Sequence, residues 1–284
     1  MPSPSAPLFR FGVVADPQYA ALEPNLALDR YPANSLAKLA EAIAEFNRRD
    51  LAFVVTLGDI IDGGWESFDA ILPVYETLRH ARHFLLGNHD FAIAAQHLTE
   101  VASRVGMPSA YYDFAHAGYR FIALDGNEIS LFAPPEGDPR RAEAKVMMKA
   151  LHKAGAMNSH RWNAAISDTQ HAWLAAKLDE AKAAGEKVVV TNHYPIFPEN
   201  SHNALDSDRM LALLAEHDHV VAYLSGHNHD GNFGVVHGTY FINFKGMVDT
   251  EDTNAYAIVS VYKDRLEIEG FGREVSRVLA LQGA

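Results

Sequence analysis

The chain has 284 residues, 48% of them hydrophobic and 21% charged. That is the balance of a soluble globular protein, not of a disordered, collagen-like or coiled-coil one. Lys and Arg total 24 against 36 Asp and Glu, a formal charge of −12, so the surface is a poor partner for nucleic acid or an anionic membrane. There is no cysteine, which excludes disulfides, thiolate zinc sites, iron–sulfur clusters and thiol nucleophiles and leaves any metal to nitrogen and oxygen ligands.

Residues 1–8 read as a loose tail. They lack the cationic segment and long apolar run of an export signal, and no stretch of the chain approaches the ~18 apolar residues of a membrane span. The expectation is a cytoplasmic protein with no membrane association and no obligate protein partner. Residues 11–15 are a short apolar run, read as a buried strand ending at Asp16. Ser35 opens a helix with Leu36, Leu39, Ala40, Ile43 and Phe46 on one face. A second strand over 52–57 ends at Gly58-Asp59. A helix over about 66–80 leads to a third strand, 83–86, ending at Gly87-Asn88-His89-Asp90. Residues 119–124 are a further strand.

Residues 126–166 break the alternation. Turn chemistry from Pro134 to Pro139 precedes a short helix at about 140–153, then a polar stretch with Asn158, His160, Trp162 and Asn163. Strand–helix alternation resumes on both sides. The segment therefore reads as an insertion near a site, within one domain over 9–284. Ser167-Asp168-Thr169-Gln170 fits a capping box, with Gln170 reaching back to the Ser167 N–H, and its helix runs to Gly185. A strand over 187–191 stops before Asn192-His193. A helix near 206–216 leads to a strand over 220–224, which ends at Ser225-Gly226-His227-Asn228-His229. The remainder reads as strands over 239–243, 255–262 and 265–270. The class is α/β, layered, with a mixed sheet or two packed sheets.

Five of these strands end in metal-capable side chains: Asp16 with Gln18, Asp59, Asn88 with His89, His193, and His227 with His229. In open α/β sheets the loops at the carboxyl ends of strands build the site. One strand-end aspartate is commonly a turn or helix cap; five such ends in order point to metal. Carboxylate, amide oxygen and imidazole suit Mn²⁺, Mg²⁺, Fe²⁺ or Zn²⁺. Seven candidate ligands suit two divalent ions about 3.5–4 Å apart, bridged by a carboxylate and a hydroxide, which stabilise attacking and leaving oxygens at phosphorus.

The motifs Asp16-Pro17-Gln18, Gly58-Asp59-Ile60-Ile61-Asp62, Gly87-Asn88-His89-Asp90, His193 and Gly226-His227-Asn228-His229 resemble those of the calcineurin-like metallophosphoesterases. The resemblance covers roughly residues 9–272. It implies a four-layer sandwich, two mixed β-sheets packed together and flanked by helices. One position departs: Gln18 stands where most of the family has histidine. Asp-x-Gln resembles the subgroup of manganese-dependent ADP-ribose/CDP-alcohol diphosphatases. Arg30-Tyr31 before Ser35-Leu36, Lys187 to Val190 with His193 and Pro195, and Asn243 with Gly246-Met247-Val248 are similar to that subgroup as well.

The resemblance implies one metal on Asp16, Gln18 and His229, another on Asn88, His193 and His227, and Asp59 between them. An amide oxygen in place of imidazole favours Mn²⁺ over zinc. Asp62 sits where a purple acid phosphatase carries a tyrosine, which speaks against an iron–tyrosinate centre. Asp62 and Asp90 are candidates for orienting ligands or His89, and Asp90 is also a candidate for the catalytic group with His89 and Asn88. His89 follows a ligand directly and is the candidate general acid, with Asn88 beside it on the phosphoryl oxygens. Trp162, Asn158, Asn163 and Tyr31 are substrate candidates for a base or ribose, and Arg30 for a distal phosphate. His80, His83, His97, His116, His152, His171, His217, His219 and His237 read as packing or surface residues. The implied function is hydrolysis of the diphosphate of small nucleotide conjugates, ADP-ribose or CDP-alcohols. The alternatives are a cyclic-nucleotide phosphodiesterase or phosphomonoesterase of the same fold, or a protein-binding scaffold.

Overall fold

A computed structural model of the chain describes residues 6–281. In chain order the elements are β1 (Phe9–Val14), α1 (Ser35–Arg48), β2 (Phe53–Leu57), α2 (Ser67–Glu76), β3 (Ala81–Leu85), α3 (Val101–Arg104), β4 (Tyr112–His116), β5 (Tyr119–Ala123) and α4 (Pro139–Ala154). They continue with α5 (Asp168–Ala184), β6 (Lys187–Thr191), α6 (Ser207–Ala215), β7 (Val220–Ser225), β8 (Asn232–Val236), β9 (Thr239–Asn243), β10 (Ala255–Val261), β11 (Arg265–Gly272) and β12 (Arg277–Ala280). The tail expected over 1–8 falls partly outside the described residues. Leu8 is not loose: its N–H donates to Val261 O at 2.7 Å and extends the β1–β10 ladder.

The strands form two six-stranded sheets, ordered β12-β11-β10-β1-β2-β3 and β4-β5-β6-β7-β9-β8. Both are mixed. β1, β2 and β3 run parallel, as do β5, β6, β7 and β9, while the outer strands pair antiparallel. Where both faces of the parallel strands are covered, as in Val13-Val14 of β1, Phe53-Val54-Val55 of β2 and Val188-Val189-Val190 of β6, the residues are apolar. Between the sheets Phe11 of β1 stacks on Phe53 of β2 at 5.3 Å and meets Phe121 of β5 edge-on at 5.4 Å. On the far side of the first sheet α1 buries Leu39, Ile43 and Phe46 and α2 buries Phe68 and Ile71. On the far side of the second, α5 buries Leu174 and Leu178 and α6 buries Met210 and Leu214. The result is the four-layer sandwich that the sequence implies.

The expected capping box at Ser167 is half formed. Ser167 Oγ accepts from Gln170 N at 3.1 Å, but Gln170 does not reach back. Its amide accepts from Asp125 N at 2.8 Å and donates to Glu128 Oε2 at 2.7 Å. Glu128 Oε2 takes the Ser167 N–H instead, at 2.9 Å. A carboxylate is a stronger acceptor than an amide oxygen, so it displaces glutamine and ties the start of α5 to the loop after β5. The segment 126–166 is also less open than expected. Ile129 and Ala165 exchange two backbone hydrogen bonds, 2.8 and 3.0 Å, which close the segment at its neck. Inside it α4 packs Ala144 against Ile129, Ala165 and Leu205.

Candidate metal centre

The carboxyl ends of β1, β2 and β3 from one sheet and of β6 and β7 from the other converge. One donor atom from each of Asp59, His193 and His227 lies within 4.8 Å of the others, and all three residues are buried. Asp59 Oδ2 is 3.4 Å from His193 Nε2 and 2.9 Å from the Gln18 amide. His193 Nε2 is 3.1 Å from His227 Nδ1. His229 Nε2 is 3.1 Å from the Gln18 amide and 3.6 Å from Asp16 Oδ1. The structure thus brings together Asp16, Gln18, Asp59, His193, His227 and His229. Asn88 lines the same cleft.

Close approach has a backbone cost. Asp16 (φ 49°), Gln18 (φ 44°), Asp59 (φ 50°) and His227 (φ 68°) are all in the left-handed region, at about 1–3 kcal/mol each for a residue with a side chain. Gly87 is required by space: a Cβ there would lie 2.2 Å from Asp59 Oδ1 and 2.6 Å from the His193 ring.

Each of the three imidazoles has its far nitrogen fixed. His193 Nδ1 bonds Leu57 O at 2.8 Å, His227 Nε2 bonds Asn163 Oδ1 at 2.9 Å, and His229 Nδ1 bonds Asp249 Oδ1 at 2.7 Å. Each far N–H therefore donates outward, so that in the neutral imidazole the lone pair is on the nitrogen facing the centre. Two buried amide oxygens of the cleft, Gln18 Oε1 and Asn88 Oδ1, have no hydrogen-bond partner among the described residues. A buried acceptor left unmatched is costly; two of them beside two carboxylates and three imidazoles fit oxygen-preferring divalent cations. The charge balance agrees. Burial lowers the pKa of His193 and His229, yet Asp59 and Asp16 beside the first, and Asp16 and Asp249 beside the second, push them up to about 9. Burial raises the Asp59 carboxyl, but His193 and His89 hold it well below the usual carboxylate range. His227, buried against His193, is pushed well below the usual imidazole value. The anionic centre calls for positive charge.

His89 donates its backbone N–H to Asp59 Oδ1 at 2.8 Å, and its Nδ1 is 2.6 Å from Asp62 Oδ1. Burial lowers its pKa, but the Asp59 charge and the Asp62 contact raise it more. Asp90 is fully buried and does not face the cleft. Its carboxylate accepts from Ile60 N, Ile61 N and Gly87 N at 2.8, 3.1 and 2.9 Å. It clamps the turn after Asp59 to the loop before Asn88, so its expected place among the reacting groups is corrected to one of orientation.

The cleft, of about 310 Å³, is lined by Arg30, Leu28, Asn88, His89, Trp162 and His202 together with Gln18, Asp59, His227 and His229. Trp162 is 43% exposed and stacks on His160 at 4.2 Å. Arg30 Nε is 3.6 Å from Asp249 Oδ1. Two substrate candidates are committed to the fold. Asn158 is buried and donates to Ala204 O at 2.7 Å. Asn163 is buried with its oxygen on His227 and its Nδ2 on Asn158 O and Ser201 O, both at 2.8 Å. These bonds occupy both amides, which corrects the expectation that they contact substrate. Tyr31 donates its backbone N–H to Val248 O at 3.0 Å. Sequence reasoning missed His202 and Asp249. Neither stands at ligand spacing from a motif, and no sequence signal marks them.

The family model described as Calcineurin-like phosphoesterase matches residues 9–231. The manganese-dependent ADP-ribose/CDP-alcohol diphosphatase of Homo sapiens is 30% identical, covering 96% of this chain and 92% of its own length. The protein of the same name from Arabidopsis thaliana is 27% identical, covering 94% and 95%. Among solved structures, a dimetal phosphatase from Danio rerio superposes with a TM-score of 0.86 at 25% identity, covering 97% of this chain and all of that one.

Proposed function

Because the chain belongs to the calcineurin-like phosphoesterase family, we propose that it hydrolyses the diphosphate linkage of ADP-ribose and CDP-alcohols with two divalent ions, Mn²⁺ above all. The observation that carries this reading is the match to diphosphatases over nearly the whole length of both chains. Asp16, Gln18 and His229 would hold one ion, Asn88, His193 and His227 the other, and Asp59 both. Bound there, the ions supply Lewis-acid stabilisation of phosphoryl oxygens and lower the pKa of water.

The protein's own groups do the rest. His89, gripped through Nδ1 by Asp62, keeps Nε2 for the cleft and delivers a proton to the leaving phosphate oxygen. The Asp59 contact to its backbone fixes where that proton is delivered. Arg30 meets a second phosphate, and the Trp162 face, backed by His160, offers a plane for the nucleobase. His202 closes the same wall beside His227, 5.3 Å between ring centroids.

The test is a turnover screen with Mn²⁺ across ADP-ribose, CDP-choline, a cyclic nucleotide and simple monoesters. The diphosphate conjugates are expected to give the highest kcat/KM. Preference for monoesters would overturn the substrate assignment, and full activity after exhaustive chelation would overturn the metal one.

A further inference from the structure

α1 carries a lysine on its buried face. Lys38 is only 5% exposed, and its ammonium sits among three backbone carbonyls of one short segment: Met247 O at 3.1 Å, Asp249 O at 2.8 Å and Thr250 O at 2.5 Å. An ammonium has three donors and no acceptor, so this cage satisfies it completely. Arg273 donates to Gly246 O and lies 3.4 Å from Asp249 O. On its other edge the segment is hooked to the end of β1, where Met247 N donates to Ala15 O at 2.9 Å and Val248 N to Asp16 O at 3.1 Å.

Converging carbonyls repel one another unless a cation gathers them. Here the gathered segment presents one side chain to the centre. Asp249 Oδ1 takes the His229 Nδ1 hydrogen at 2.7 Å. The segment also lies flat against that ring: a Cβ on Gly246 would be 2.6 Å from His229 Cγ. His193 and His227 are backed by neutral oxygens, a backbone carbonyl and an amide; His229 alone of the three is backed by a carboxylate. A carboxylate behind an imidazole raises its basicity as a ligand. The ion on His229 is also the one that receives a neutral amide from Gln18.

We propose that Lys38 is a positioning residue for the ion on Asp16, Gln18 and His229: by gathering the carbonyls of residues 247–250 it holds Asp249 on His229 and so sets the affinity of that site. Asp249 strengthens the one imidazole of this ion and offsets its weak amide ligand. The inference rests on the two-ion reading above, but not on the substrate.

The experiment is Mn²⁺ titration of metal-stripped full-length protein, with free Mn²⁺ read by electron paramagnetic resonance. Wild type is expected to bind in two steps. Lys38→Met is expected to weaken one step by about 10–100-fold, the usual effect of losing a residue that supports a metal ligand, and to leave the other unchanged. Asp249→Asn is expected to weaken the same step, and the double variant to be no worse than Asp249→Asn alone, since Lys38 acts through Asp249. Ile43→Val, a change in the core of the same helix, is expected to lower thermal stability with both steps intact. A folded Lys38→Met with both steps at wild-type values overturns the proposal. Should that variant not fold, Asp249→Asn with both steps intact overturns it equally. Losses that multiply in the double variant would show that Lys38 does not act through Asp249. A wild-type chain that binds no Mn²⁺ overturns the centre itself, and the inference with it.

Discussion

His89 shows how much one imidazole can be told by its neighbours. Its Nδ1 is held by Asp62 and its backbone N–H by Asp59, so ring and chain are fixed by two different carboxylates. His89→Gln is therefore expected to keep both Mn²⁺ ions and to lower kcat by about 10²–10⁴, the range for a positioned proton donor. Metal stoichiometry and single-turnover rates measured together check it; loss of Mn²⁺ with an unchanged rate per bound ion would make His89 a ligand instead. The candidate ligands are readable in the sequence because each follows an apolar run at the same end of a strand. Their supports are not. Leu57 O is a backbone atom that no sequence pattern advertises, and Asn163 and Asp249 reach His227 and His229 across chain separations of 64 and 20 residues. Asn163 was legible as important and misread as to its target, because an amide looks the same whether it faces substrate or a ring nitrogen.

Among the elements, the interior strands were legible and the edges were not. β1, β2, β6 and β7 are almost wholly buried, and each carries a short run of apolar residues. β4, β8 and β12 escaped notice, and they are three of the four sheet edges. Their side chains are mostly half-buried or exposed, so composition carries little signal there. The start of α5 separates local from tertiary control. Ser167→Ala removes one cap acceptor and is expected to cost about 1 kcal/mol. Gln170→Leu strips Asp125 N and Glu128 of a buried partner and is expected to cost about 2–3 kcal/mol. Urea unfolding of both variants tests the order; a larger loss for Ser167→Ala would mean that the cap, not the Asp125–Gln170–Glu128 network, secures the helix.

At the scale of the molecule, the centre joins the two sheets. Asp16, Gln18, Asp59 and Asn88 follow strands of one, and His193, His227 and His229 follow strands of the other. An ion held from both sides is bound by the folded chain alone. At a hundredfold excess over its Kd, each is expected to add about 2.7 kcal/mol, a rise in Tm of roughly 4–5 °C for one site in a chain of this length. Thermal scans with Mn²⁺ and with chelator check this, and Asp59→Ala is expected to lose most of the rise. Acid acts at the opposite end of the sandwich interior. His83 stacks on Phe114 at 3.7 Å and meets Phe53 edge-on, and burial pushes its pKa down from 6.5 to about 4. In the unfolded chain it keeps the ordinary value, so between those two pH values the unfolded state binds more protons and stability falls as pH falls. The stability difference between His83→Phe and wild type is expected to be constant above pH about 6.5 and to move in the variant's favour below it. Denaturation curves across that interval measure the slope, and parallel pH profiles for the two proteins would count against a neutral His83.

The neck formed by Ile129 and Ala165 has an evolutionary meaning. Because the chain leaves and re-enters the sandwich at one paired point, the stretch between can lengthen, shorten or be exchanged without shifting any strand register. What must survive such remodelling is its final part, where Asn158 secures the turn at Ala204 and Asn163 steadies His227. Remodelling is therefore expected in the stretch before Asn158, while the last few residues before the neck, which include Trp162 of the cleft wall, stay under the discipline of the centre. Loop grafting between relatives with different appetites for nucleotide conjugates has a natural cut here, just inside the two paired residues on the amino side and just before Asn158 on the other.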